Sequence, residues 1–143
     1  MLIDESESMI EMAIEKCNSL GVANLKPIQY NLMEQPLLDS KFDLIYILLT
    51  LHHINDTSVI LDKFRQSLNN NGHLVIIDLE SEDGSFHEGD FHGHHGFDRQ
   101  ELEEKLRAAY LKPTSYEVCY VLENDTDGDD KKYPLFMLIA ESA

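Results

Sequence analysis

Seven histidines stand among 143 residues, and six of them fall into two groups, His52-His53 and the stretch from His87 to His95. Imidazole titrates near neutral pH, accepts or donates a proton, and ligates borderline metals, so these groups are the first place to look for chemistry. The stretch His87-Glu88-Gly89-Asp90-Phe91-His92-Gly93-His94-His95 concentrates four imidazoles and two carboxylates in nine residues, a donor set suited to zinc or nickel. Its spacing matches neither a helical i, i+4 pair nor a Cys-containing zinc module, so it reads as a flexible lid over a site, and no metal ligand is assigned. His52 and His53 read either as a solvated pair after a strand or as functional groups. Glu123 to Asp130 carries five acids in eight positions but lacks the bidentate Glu of a calcium loop, and reads as a solvated hairpin tip. No Ser-His-Asp or Cys-His set for nucleophilic catalysis is evident. Cys17 and Cys119 are small core residues by default.

These residues need elements to position them. Met1-Leu2-Ile3 is an apolar piece stopping at Asp4, and Ser6-Glu7-Ser8-Met9 offers a hydroxyl and an acid to cap a helix. Met9, Ile10, Ala13, Ile14, Cys17 and Leu20 recur on one helical face, closed by Gly21. Leu25 to Leu32 predicts a second strand. Phe42 to Leu51 is a stronger one, with almost no polar break, the pattern of a strand covered on both faces. Asn55-Asp56-Thr57 caps a helix carrying Val59, Ile60, Leu61, Phe64 and Leu68, ended by Asn69 to Gly72, and His73 to Leu79 is a further buried strand. Strand, helix, strand, helix, strand with short joints predicts a parallel sheet with helices on both sides. Glu80 to Gly96 loses all apolar rhythm, Phe97-Asp98 caps a helix through Tyr110, and Tyr116 to Leu122 with Leu135 to Ala140 predict an antiparallel pair.

Composition bounds the rest. The length implies one domain, residues 1–143, and 43% apolar residues suffice for a core. Eleven basic against 27 acidic residues give a net charge of −16, with no basic run beyond Lys131-Lys132, which argues against nucleic acid. The uncharged apolar run Leu44 to Leu51 is far short of the ~20 residues that cross a bilayer. Asp4, Glu5 and Glu7 occupy the place of a signal peptide's basic region, and two cysteines make no disulfide framework, so the expected location is the cytoplasm.

The order of elements and five local strings resemble a class I S-adenosylmethionine-dependent methyltransferase of the group acting on small molecules. The strings are Ile3-Asp4-Glu5-Ser6 running to Met9 and Ala13, Phe42-Asp43-Leu44-Ile45, Leu51-His52-His53-Ile54, Arg65 with Leu68 to Gly72, and Leu74 to Asp78. The resemblance implies a Rossmann-like, mostly parallel α/β sheet flanked by helices, with an antiparallel C-terminal strand pair. It implies S-adenosyl-L-methionine as cofactor and a small-molecule methyl acceptor. Ligands of such sheets lie beyond the carboxyl ends of the strands. By the same resemblance Asp4, with Glu5 as the neighbouring alternative, holds the ribose hydroxyls, and Asn31 stands where an acid usually meets the adenine amino group. Leu32 offers its amide to the adenine ring, and Ile47 and Leu48 line the methionine part. His52 marks the boundary of cofactor and acceptor. Methyl transfer needs alignment more than acid–base help. Where the acceptor must lose a proton, His53 is the first candidate base and His95 the second, with the loop around His92 to Gly96 facing the acceptor.

The family's opening strand and Gly-rich turn have no counterpart, since none of Gly21, Gly72 and Gly84 follows a strand and opens a helix. The expectation is therefore a chain truncated at its N-terminus that binds cofactor poorly by itself. Asp4 and the strand from Phe42 would each keep an unpaired edge, open to a partner strand or a second copy. Asp4 also reads simply as an acid at a helix N-terminus, Asn31 as a turn residue, and Asp43 as a local orienting group. Two alternatives to an enzyme stand beside this: a non-catalytic remnant acting through protein association, and a metal-binding protein using the His-rich loop.

Overall fold

The computed structural model describes residues 1–124 and 131–142, so most of the acidic link, 125–130, lies outside the described residues. The described chain falls into two compact units, Met1–Leu37 and Leu38–Ala143.

In the first unit, β1 (Leu2–Asp4) pairs in parallel with β2 (Pro27–Gln29), and α1 (Glu7–Leu20) connects them. The Ser6 hydroxyl accepts the Met9 amide, and Gly21 at φ 67° lets the Val22 amide return to the Cys17 carbonyl at 2.9 Å. That left-handed closure is the reason a glycine ends this helix. The second strand is shorter than Leu25 to Leu32, because Asn31 opens a turn in which its side-chain oxygen accepts the amides of Met33 and Glu34. The helical face read as core is largely open: Ile10 is buried, whereas Met9, Ile14 and Leu20 are exposed. Two strands of three residues present too little surface to cover it.

In the second unit, β3 (Phe42–Leu48), β4 (Leu68–Leu79), β5 (Leu111–Asn124) and β6 (Lys131–Ser142) form one sheet in the order β3-β4-β6-β5. β3 and β4 are parallel, and β6 runs antiparallel to both its neighbours, β4 and β5. The expected α/β architecture and the antiparallel C-terminal pair are therefore present. α2 (Thr57–Ser67) joins β3 to β4 under an Asp56 cap, and α3 (Arg99–Ala108) precedes β5 under an Asp98 cap. The core is the inward row of β4 and β6, Leu74, Ile76, Phe136, Leu138 and Ala140, together with Leu51, Ile60, Leu61, Leu102 and Leu106, each almost wholly buried.

Two expectations are corrected here. The helix carrying Phe64 does not run on to Asn69–Gly72: it ends at Ser67 with Leu68 as its C-cap, Leu68 already pairs with Phe42, and the next partners are Leu44 and His73, so β4 bulges between them. Asn71 at φ 61° makes that excursion, and a Cβ on Gly72 would stand 3.1 Å from the Phe42 carbonyl oxygen. Nor is β3 covered on both faces, since Leu44, Tyr46 and Leu48 are each more than half exposed and alternate along it. β3 pairs with β4 alone, so it is an edge strand with one bare face among the described residues.

Candidate functional site

β3 and β4 run in register to Leu48 and Ile77, so their carboxyl ends form a common rim. Beyond it the Leu49 amide still donates to the Ile77 carbonyl at 2.8 Å, while Leu49 itself adopts φ 46°. A leucine in the left-handed region is strained by roughly 1–3 kcal/mol, and here it turns the backbone out of the sheet. A 3-10 turn, Leu51–His53, follows at once, anchored by the fully buried Leu51. This places two consecutive imidazoles above the end of β4.

His52 is 1% exposed and Asp78, near the end of β4, is 0% exposed. His52 Nδ1 lies 2.6 Å from Asp78 Oδ1. The same carboxylate accepts the His52 amide at 3.2 Å and the Leu79 amide at 2.8 Å. Two backbone donors and one imidazole thus satisfy a charge that would otherwise be costly to bury. The carboxylate assigns Nδ1 as the proton-bearing nitrogen of His52 and leaves Nε2, which is buried with no hydrogen-bond partner among the described residues.

His53 is exposed, with its ring 4.2 Å from that of His52 and 5.2 Å from that of His87. His87 stacks on Phe91 at 3.8 Å, and its Nε2 is also buried and unpartnered. One ring nitrogen from each of His52, His53 and His87 lies within 4.8 Å of the others. Burial, and then the neighbouring His52 imidazole, hold His53 and His87 below the ordinary histidine range. Within the cluster, His53 and His87 are therefore held toward their neutral forms, which carry a free lone pair.

The loop after β4 is fastened rather than loose. The His94 amide donates to the His52 carbonyl at 2.8 Å, His94 Nε2 lies 3.0 Å from the Ile54 carbonyl oxygen, and the Glu82 amide donates to the His95 carbonyl at 3.0 Å. A Cβ on Gly93 would stand 2.3 Å from the His52 carbonyl oxygen, so only glycine fits that crossing. His95, 49% exposed, approaches Glu82 Oε1 with Nδ1 at 3.3 Å, an ion-pair contact without hydrogen-bond alignment, and stands outside the three-imidazole cluster. His92 is exposed.

The other sequence-predicted residues fall as follows. Ile47 and Leu48 end β3, half-buried and exposed respectively. In the first unit Asp4 ends β1, half-buried, with Oδ1 accepting the Ser6 amide at 2.8 Å. The exposed Glu5 accepts the Asn31 side-chain amide at 2.8 Å, so Asn31 is bonded through its oxygen within its own turn and through its nitrogen to the segment after β1. Leu32 follows in that turn. Asp43 accepts the Asn69 side chain at 2.7 Å, the local orienting role expected of it. Sequence reasoning missed Asp78 and His87 as partners of the His52-His53 pair. The signal available was an acid closing an apolar strand, whose inward direction follows from the alternation Leu74, Ile76, Asp78.

Residues 1–132 match the model of a family described as a methyltransferase domain. No curated protein matches the chain. Among solved structures it is similar to TehB from Haemophilus influenzae, with a TM-score of 0.73 at 18% identity, over 99% of this chain and 49% of that one. It is also similar to a SAM-dependent methyltransferase from Aquifex aeolicus, with a TM-score of 0.71 at 22% identity, over 99% of this chain and 67% of that one. A SAM-dependent methyltransferase from Methanosarcina mazei gives a TM-score of 0.71 at 19% identity, over 98% of this chain and 80% of that one. At such identities the likeness establishes the fold. The chain spans about half the length of TehB.

Proposed function

The chain belongs to the methyltransferase-domain family, and from that premise we propose that it takes part in moving a methyl group from S-adenosyl-L-methionine to a small-molecule acceptor. The observation that carries this reading is Asp4. It is a half-buried carboxylate at the carboxyl end of a parallel strand, steadied through one oxygen by the Ser6 amide, which is the chemistry a ribose diol requires. Glu5 is the neighbouring acid. Asn31 meets the adenine amino group by releasing one bond of its turn, with Leu32 supplying a main-chain contact beside it.

When bound, the cofactor supplies a methyl group already activated on a sulfonium. The chain's task is alignment of that group with an acceptor lone pair, which removes much of the barrier without further chemistry. Where the acceptor carries a proton, His53 takes it: the ring is exposed, and its lowered pKa keeps a lone pair available at neutral pH. His95, held against Glu82, is the second base candidate. His52 is a positioning residue, locked by Asp78 beneath His53.

The test is binding of S-adenosylhomocysteine by the whole chain, followed by amide chemical shifts. We expect weak binding that perturbs Asp4, Glu5, Asn31 and Leu32 and disappears in Asp4→Ala. Shifts that leave those four untouched, or that survive Asp4→Ala, would refute the assignment. A second reading, association through the open edge of β3, rests on the exposed row Leu44, Tyr46 and Leu48.

A further inference from the structure

The three-imidazole cluster is more than a proton-transfer site. We propose that His52, His53 and His87 bind one zinc-class divalent cation, with Asp78 as the outer group that orients His52.

Four observations converge on this. One nitrogen from each ring already lies within 4.8 Å of the others, across two segments of chain: the 51–53 turn, which supplies His52 and His53, and the loop after β4, which supplies His87. Bonds of about 2.0–2.1 Å from each nitrogen to a tetrahedral zinc place the nitrogens about 3.4 Å apart, so the cluster closes on a metal by rotation of the exposed His53 and of His87. The Nε2 atoms of His52 and His87 are both buried without a partner, and leaving a buried acceptor unmatched is unfavourable, so the geometry calls for an occupant. The His52 Nδ1 contact to Asp78 at 2.6 Å is the carboxylate–histidine pairing that fixes a ligating imidazole's tautomer and raises its basicity. His87 is set by its stack on Phe91 at 3.8 Å, and Gly93 and His94 pin the loop to the backbone of His52.

The loop histidines do not act together, as a chelating tail would. Only His87 joins the cluster, while His95 turns to Glu82 and His94 to the Ile54 carbonyl. Three nitrogen ligands leave a fourth tetrahedral position, the pattern of a reactive rather than a purely structural site, and the exposure of His53 puts one side of the cluster at the surface. An acceptor hydroxyl or thiol bound there would lose its proton to solvent water at the open side of the cluster near neutral pH, with His53 serving as ligand instead of base; that use rests on the methyl-transfer reading, whereas the metal site does not.

Metal alone decides the matter. The metal-free chain is titrated with Zn²⁺ against a chromogenic chelator, and with Co²⁺ while the visible spectrum is followed. One equivalent should bind, and Co²⁺ should show the intense visible bands of a tetrahedral site. His53→Gln and His87→Gln should each weaken Zn²⁺ binding at least about tenfold and extinguish those bands, with Asp78→Asn weakening it about 10–100-fold. His92→Gln should leave the Zn²⁺ affinity and the Co²⁺ bands as they are, because His92 lies outside the cluster. His53 is exposed, so its variant keeps the fold, which circular dichroism verifies. The proposal is overturned by absence of stoichiometric binding, as expected if water fills the cluster, or by affinity that persists in both His53→Gln and His87→Gln. Neither result bears on S-adenosylhomocysteine binding at Asp4, so failure here and failure of the methyl-transfer reading remain distinguishable.

Discussion

His53 and His87 are held below the ordinary histidine pKa chiefly by burial and then by the adjoining His52, so folding favours their uncharged forms. Unfolding returns both to the ordinary value of about 6.5, where the open chain binds more protons than the native one. The stability this contributes is complete above that pH and is lost as the pH falls through the lower folded values. In metal-free protein, thermal stability should therefore decline as the pH falls below about 6.5, and His53→Gln should flatten part of that decline. An identical slope in the variant, measured by calorimetry, would show that His53 is not its source. The histidines were legible from their type and clustering alone. Their grouping was not, because nothing in the spacing from His53 to His87 says that the Phe91 stack and the Gly93 crossing fold that loop back over the 51–53 turn. Asp78 was hidden for the same reason: a strand-end acid is ordinary until a ring is found 2.6 Å away.

Elements carry their own strain. Two residues beyond α3, Tyr110 adopts φ 58° and is 77% exposed, so its ring contributes little to offset a left-handed backbone. Tyr110→Gly should raise stability by about 0.5–1 kcal/mol in urea denaturation, the gain from relieving the side chain's clash less the entropy a glycine adds to the unfolded chain. No gain, or a loss, would mean that the tyrosine packs better than its exposure implies. Local signals were the ones that carried through: the caps at Ser6, Asp56 and Asp98 and the closure at Gly21 stand where hydroxyl, carboxylate and glycine placed them. Signals that depend on neighbours failed. Asn31 cut β2 short by a side-chain turn, Leu68 joined a strand because Phe42 offered it a partner, and β3 reads as buried although one face meets nothing. Apolar runs record what a strand is able to bury, and only the tertiary arrangement says whether it does.

At the scale of the molecule, the bare row of β3 and a net charge of −16 pull in opposite directions. An exposed apolar edge strand templates pairing with another chain, while like charge repels an approaching copy over a range of about 10 Å at 0.1 M salt. Self-association should accordingly be absent at low ionic strength, grow as salt screens the repulsion, and be suppressed by Tyr46→Lys, all followed by analytical ultracentrifugation. A monomer at every salt concentration would remove the second reading. As expected of strands left with open edges, β1 and β3 lie in two separate sheets, and no ladder joins them among the described residues. Ile10 is the sole buried residue of Met1–Leu37, which leaves those 37 residues almost without an interior. Such a segment stays assembled by a narrow margin, so whatever molecule settles on it doubles as its core. Occupancy there should be readable as added heat resistance confined to the first quarter of the polypeptide.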